Sequence, residues 1–132
     1  MLTNIKTSKA NKEVVTNLTR RLNLGAENII ARLAFSFSMA KERKLSLSDI
    51  QDSQGKEYSA KVLFGEYADY YVAMICVHYE IYKSDKDISK YVKLHIDDGL
   101  QLIENDISKK SSLTGTDFLI NEIEKGLTNY LR

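Results

Sequence analysis

The side chains richest in potential chemistry are two histidines, one cysteine and the adjacent carboxylates Asp97-Asp98, and none of them stands in a pattern that performs it. His78 and His95 are seventeen residues apart and outside any HExxH, CxxC or His/Cys cluster, so each reads as a structural histidine. Asp97 and Asp98 could in principle ligate magnesium. Neighbouring helical positions point about 100° apart, however, and the pair reads as a solvated face. Cys76 lies in the apolar run Val72–Val77 and reads as a small core filler, because His78, two residues on, faces another way and cannot serve it as a base. There is no GxGxxG or GxxxxGK[ST] phosphate loop and no GxSxG nucleophile elbow, so no enzyme and no cofactor is expected.

What remains is charge. Residues 1–61 hold eleven basic side chains against six acidic ones, a balance of +5, whereas residues 62–132 hold eight against twelve, a balance of −4. Lysine and arginine neutralise phosphates and release condensed counterions, so a basic half points to nucleic acid; a mixed, solvated surface is the alternative. The candidates for phosphate contact are Lys6, Lys9, Lys12, Arg20, Arg21, Arg32, Lys41, Arg43 and Lys44. Arg32 lies among core-facing residues and has a second reading, as a buried ion-pair partner. Five of the eight tyrosines, Tyr67, Tyr70, Tyr71, Tyr79 and Tyr82, fall in the most apolar segment. Core packing or a subunit interface is the expectation there, ahead of base stacking.

The elements that must position these residues are helical. Proline is absent and glycine occurs six times in 132 residues, so helix breakers are scarce. The expected fold is all-α: one compact domain over residues 1–132, with about five helices and a short strand within Met1–Thr7. Val14, Leu18 and Leu22 make the apolar stripe of a first helix over Ser8–Leu22, with Ser8 as its cap and Asn23-Leu24-Gly25 as its stop. A second helix is expected over about Ala26–Arg43, with Ile29, Ile30, Leu33, Ala34 and Phe37 facing the core. Periodicity is lost between Lys44 and Ser59, which reads as a loop or short hairpin.

An apolar helix then runs to about Lys83, with Tyr67, Tyr70, Tyr71, Met74, Ile75 and His78 on or near its buried side. Ser84–Asp87 and Thr114–Asp117 each place a hydroxyl residue three positions before a carboxylate, the spacing of a capping box. Ile88, Val92, Ile96, Leu100, Ile103 and Ile107 trace the helix that follows the first. Leu119 or Ile120, Ile123, Leu127 and Tyr130 trace the last. No apolar run approaches the roughly 20 residues that cross a bilayer, and the N-terminus has no signal-peptide stretch, so a cytoplasmic protein is expected.

The stretch Arg20-Arg21-Leu22-Asn23-Leu24-Gly25-Ala26-Glu27-Asn28-Ile29-Ile30-Ala31-Arg32-Leu33-Ala34-Phe35 resembles the central signature of the DndE family: a basic helix end, a small-residue turn, then a helix with arginine at its centre. The likeness continues through Gly55–Tyr58, Leu63–Tyr67 and His78-Tyr79, and so spans roughly residues 3–80. Beyond that the match is in length and helical character alone. The resemblance implies a non-catalytic accessory protein of DNA phosphorothioation, a restriction-modification setting in which sulfur replaces a non-bridging phosphate oxygen. It implies action beside a cysteine desulfurase and other Dnd modification proteins, an all-helical homotetramer, and binding to double-stranded DNA with a preference for nicked duplex. Residues Asn4–Phe37 also resemble a ribbon-helix-helix pattern, which would instead imply a sequence-specific repressor whose strand pairs with that of a dimer mate.

Overall fold

The structure is a computed structural model and describes residues 2–109 and 114–130. Among these residues are six α-helices and one two-stranded ribbon: β1 (Ile5–Lys6), α1 (Ala10–Leu22), α2 (Glu27–Met39), β2 (Glu57–Tyr58), α3 (Ala60–Phe64), α4 (Ala68–Tyr79), α5 (Ile88–Ser108) and α6 (Gly115–Tyr130). Single 3-10 turns at Leu47–Asp49 and Gly65–Tyr67 complete the chain path. No helix of the described residues is long and apolar enough to cross a membrane.

α1 starts and stops as its sequence dictates. Ser8 Oγ accepts the Asn11 amide at 3.3 Å, and Asn23 takes the left-handed conformation (φ 51, ψ 43) that closes the helix on the Thr19 carbonyl. Val14, Val15, Leu18 and Leu22 are buried beneath it. α2 ends at Met39, four residues short of the expected stop, where the chain turns through Glu42 in the left-handed region (φ 59). Its buried set is Ile30, Ala31, Ala34, Phe35, Phe37, Ser38 and Met39. Ile29 and Leu33 are half-buried, so the helix is covered over a wider arc than one stripe.

α5 is the axis on which the rest is laid. Residues 92–97 are all buried, which requires neighbours on every side. α2 runs antiparallel along it, Ala34 against Gly99 and Ser38 against His95. A β-carbon added at Gly99 would stand 1.8 Å from the Ala34 carbonyl oxygen, so the two backbones touch only because position 99 has no side chain. α1 runs the other way, its start on Asp97 and its end on Ile107. Phe35, Phe64 and Tyr71 close the core between α2, α3 and α4, with Phe64 and Tyr71 stacked at 4.2 Å. Each such aromatic contributes on the order of 1.5–3 kcal/mol by leaving water.

The expected N-terminal strand exists, but its partner belongs to the same chain. β1 pairs antiparallel with β2, Ile5 opposite Tyr58 and Lys6 opposite Glu57. The strand is therefore not set out to pair with a dimer mate, as the ribbon-helix-helix pattern requires. Of the two capping boxes one forms: the Asp117 amide donates to Thr114 Oγ1 at 3.1 Å and the Thr114 amide to Asp117 Oδ2 at 3.4 Å. At the start of α5 the Asp87 amide donates instead to Asp85 Oδ1 at 2.8 Å, so an aspartate turn does the work expected of Ser84.

α4 departs most from expectation. It ends at Tyr79 on Glu80 in the left-handed region (φ 57), and Ile75 alone of its residues is buried. Tyr67, Tyr70 and Met74, expected on the inner side, are exposed together with Val77 and, further on, Tyr82. Tyr71 and Tyr79 do pack inward, and Cys76 lies partly buried against the core. In α6, Phe118 is buried against Phe37 at 5.7 Å and Leu119 packs on the core, while Ile120, Ile123 and Leu127 point to solvent; the Tyr130 side chain lies outside the described residues.

The close passage of α2 over α5 gives a direct check. Gly99→Ala should lower the unfolding free energy by about 3 kcal/mol, near the upper end of overpacking costs, as read from the urea midpoint. A loss under about 0.5 kcal/mol would mean that the two helices do not touch there.

Candidate nucleic-acid interface

The basic residues sit on four segments: β1 with the start of α1, the end of α1, the middle of α2, and the turn after α2. What brings the first and last of these together is a pair of adjacent carboxylates. Asp97 is buried and accepts the Ser8 amide at 3.1 Å and Asn11 Nδ2 at 2.8 Å, which fixes the first turn of α1. Asp98, one residue and about 100° further round α5, accepts Ser38 Oγ at 2.6 Å and receives Arg43 Nη2 on both oxygens, at 3.0 and 2.9 Å. The start of α1 and the end of α2 therefore meet over a single turn of α5. Neither carboxylate belongs to a solvated face, as was expected of the pair; burial against α1 and α2 replaces water with these donors.

Lys93 is the counterion. Its Nζ lies 3.0 Å from Asp97 Oδ2 with both side chains almost fully buried, and it donates to the Asp52 carbonyl at 2.7 Å. Asp52 in turn accepts the Lys9 and Gln54 amides through Oδ1, both at 2.9 Å, and those two hydrogen bonds hold its carboxyl below the ordinary aspartate value. The irregular loop before β2 is thus pinned to the base of α1 and to α5 together. Gln101 completes the set by donating to Asn11 Oδ1 at 2.6 Å.

Lys6, Lys9, Lys12, Lys41 and Lys44, on the two segments joined here, are exposed. Lys41 lies 4.3 Å over the Phe37 ring, a geometry that steadies the side chain while leaving its charge uncompensated. Lys12 shares an open cleft with Glu13, Thr16, Asn17 and Lys56, and Lys56 is 3.4 Å from Glu27. Arg43 is half exposed but paired with Asp98.

Arg32 and Arg21 make contacts between elements of the fold. Arg32 Nε donates to the Leu63 carbonyl at 2.5 Å and Nη2 to the Val62 carbonyl at 3.4 Å, where Asn28 Nδ2 also donates, so Arg32 ties the end of α3 to α2. It is half-buried, but its partners are carbonyls and not the acid that an ion pair would need. Arg21 Nη2 donates to the Ile107 carbonyl at 2.9 Å, and Arg20 Nη2 to Asn17 Oδ1 at 3.2 Å. Both stand at the far end of α1 from Lys9 and Lys12.

A second polar string runs beneath the turn after α2. His95 is fully buried between Ser38 Oγ, 2.8 Å from Nδ1, and the Tyr79 hydroxyl, 2.6 Å from Nε2. Burial, helped by the nearby His78 ring, pushes its pKa down from 6.5 to about 4, so it is neutral at physiological pH. Its structural reading holds. Tyr79 is pushed up by burial, and burial likewise raises Tyr58, whose hydroxyl has no hydrogen-bond partner among the described residues. Among the described residues no three His, Cys, Asp or Glu side chains are gathered to hold a metal ion.

A family model, "DNA sulphur modification protein DndE", matches residues 4–111. The chain belongs to the DndE family. Its fold is also that of two solved structures. One is DndE from Escherichia coli, described as involved in DNA phosphorothioation modification, which is 22% identical over 78% of this chain and 99% of that one, with a TM-score of 0.63. The other is a double glycine-to-lysine mutant of DndE, with the same identity and coverage and a TM-score of 0.65. No curated protein matches the chain. The family match extends past residue 80 through α5, so the helix that carries Lys93, Asp97 and Asp98 is part of the DndE domain, further than the sequence resemblance reached.

In this DndE-family chain the polar residues that the sequence left without a role are the buried Asn11, Ser38 and Lys93 and the exposed Asp52, while buried Asp97 and half-buried Asp98 were expected on a solvated face. One signal was present. Lys93 and Asp97 stand four apart, with Val92, Leu94 and Ile96 between and beside them, and charges set in so apolar a stretch can be buried only as a pair.

The depressed His95 pKa sets a pH dependence with a definite sign. Below about pH 6.5 the unfolded chain takes up a proton that folded His95 refuses until about pH 4. This contribution to stability is therefore complete above pH 6.5 and is lost as pH falls towards 4. Urea midpoints measured from pH 7 to 4.5 should fall more steeply for the native chain than for His95→Gln, and parallel curves would contradict the assignment.

Proposed function

We propose that this DndE-family chain is a non-catalytic, DNA-binding accessory protein of the phosphorothioation system. It contacts the phosphate backbone through Lys6, Lys9, Lys12, Lys41 and Lys44, with Arg43 beside them, and prefers nicked double-stranded DNA. The observation that supports this reading is the junction on α5: two basic segments that are about thirty residues apart in sequence are held over one helical turn by Asp97 and Asp98. Five exposed lysines on one scaffold suit a polyanion, and lysine ammonium groups on flexible stems suit phosphate more than base edges. Arg20 remains a peripheral candidate at the other end of α1, whereas Arg21 and Arg32 belong to the scaffold in this reading.

The same proposal makes the chain a homotetramer in the cytoplasm, working beside the other Dnd modification proteins. Support for assembly comes from α4, whose outer face offers Tyr70, Met74 and Val77 to solvent, together with Tyr67 from the turn before it and Val62 from α3. An apolar surface rich in tyrosine and methionine has the composition of an interface core. Several copies would join their lysine clusters into a longer positive track.

Fluorescence anisotropy with intact and nicked duplexes over a salt series tests the proposal. Affinity should fall steeply with salt and vary little with sequence. The triple substitution Lys9→Ala, Lys12→Ala, Lys44→Ala should reduce the slope of log affinity against log salt by about 3, roughly one per phosphate contact, without loss of helicity. Unchanged binding by a folded triple variant would overturn the reading.

A further inference from the structure

We infer that Tyr79 is a positioning residue for the basic segment Lys41–Leu45, with His78 as its companion. The inference deepens the DNA-binding reading and rests on it. Within the segment the Lys41 and Glu42 amides donate to the Ser38 and Met39 carbonyls, Glu42 turns the chain in the left-handed region, and beyond it three groups are fixed from α4 and α5. The Leu45 amide donates to the Tyr79 hydroxyl oxygen at 3.0 Å, His78 Nε2 is 2.7 Å from the Arg43 carbonyl, and the Arg43 guanidinium is held by Asp98. Lys44 lies between the anchored residues 43 and 45, so its Cα is placed by them while its side chain stands in solvent.

Only one donor order satisfies every atom of the string. Ionised Asp98 accepts and cannot donate, so the Ser38 hydroxyl donates to it. The oxygen of Ser38 then accepts from His95 Nδ1, which makes Nδ1 the protonated nitrogen of the ring. His95 Nε2 carries the lone pair and accepts the Tyr79 hydroxyl proton, and the Tyr79 oxygen is left to accept the Leu45 amide. Tyr79 is stacked on Tyr91 at 3.9 Å, which fixes the ring in the plane that both bonds need. A phenylalanine there would keep the stacking and leave two donor-acceptor partners, the Leu45 amide and His95 Nε2, unmatched in a half-buried place. The arrangement gives α4 a task on its inner side, independent of the apolar outer face.

The experiment compares Tyr79→Phe, Lys44→Ala and the pair His78→Gln and His78→Ala in the full chain. Each is read by DNA affinity over a salt series, by hydrogen exchange at the Leu45 amide, and by light scattering. In Tyr79→Phe the Leu45 amide should exchange at least tenfold faster, the salt slope should fall by roughly one, and affinity should drop several-fold while helicity and assembly stay native. His78→Gln, which keeps a donor for the Arg43 carbonyl, should bind as the native chain does, and His78→Ala should lose affinity. If Lys44→Ala lowers the slope while Tyr79→Phe leaves both slope and Leu45 exchange unchanged, the positioning role is wrong. If Lys44→Ala leaves the slope unchanged although Leu45 exchange accelerates in Tyr79→Phe, the string is real and the DNA-binding reading of this segment is what fails. Should Tyr79→Phe not fold, equal affinity of the two His78 variants overturns the inference by itself.

Discussion

A charge inside a protein must find a partner or lose its ionisation, and that requirement shapes the centre of this molecule. Lys93 and Asp97 sit one helical turn apart on α5 with almost no exposure, their charges opposed at 3.0 Å. Each has further partners that must be in place at once: the Asp52 carbonyl for Lys93, and the Ser8 amide with Asn11 for Asp97. The loop before β2, the start of α1 and the middle of α5 are therefore fixed as one unit. A looser arrangement would leave a buried ion without its hydrogen bonds, and removing one member of such a pair costs about 3–5 kcal/mol.

The geometry of the α-helix carries that constraint outward. Because consecutive residues point about 100° apart, Asp97 faces α1 and Asp98 faces α2. One dipeptide thus serves two helices, and Gly99, the next residue, lets the α2 backbone come close enough for Ser38 to reach both Asp98 and His95. Carboxylates at the heart of the scaffold hold the cationic segments at its rim. Their charges are met by Lys93 and Arg43, so they cancel little of the exposed lysine charge. A pair that resembles a solvated face in sequence is what joins the two basic segments in space.

The sequence made the helices legible because their signals are local. Ser8 and Asn23 bracket α1, Thr114 and Asp117 open α6, and the three- and four-residue beat of Ile88, Val92, Ile96, Leu100, Ile103 and Ile107 runs through α5; all are readable without knowing what lies opposite. The short strand was legible too, but not its partner, since the pairing of Ile5 with Tyr58 spans more than fifty residues. Polar residues were misplaced for the same reason. Asp97 and Asp98 have partners supplied by other helices, and a polar side chain seen alone defaults to water. On α4 the hydrophobicity was evident, but with so weak a directional bias (apolar residues lie nearly all round) the inner and outer faces could not be told apart. The sequence likeness ended near residue 80, whereas the family match runs to residue 111; α6 lies beyond it, seated by Phe118 on Phe37 with Ile120, Ile123 and Leu127 exposed.

The junction of α1 with α5 depends on the Lys93–Asp97 pair as a coupled, buried interaction. A double-mutant cycle of Lys93→Met, Asp97→Asn and the two together, followed by urea unfolding, measures that coupling directly. Each single change should destabilise the chain by about 3–5 kcal/mol, and the double variant should be more stable than the sum of the two losses predicts, by at least 1.5 kcal/mol. Additive losses, or single variants as stable as the native chain, would contradict the account.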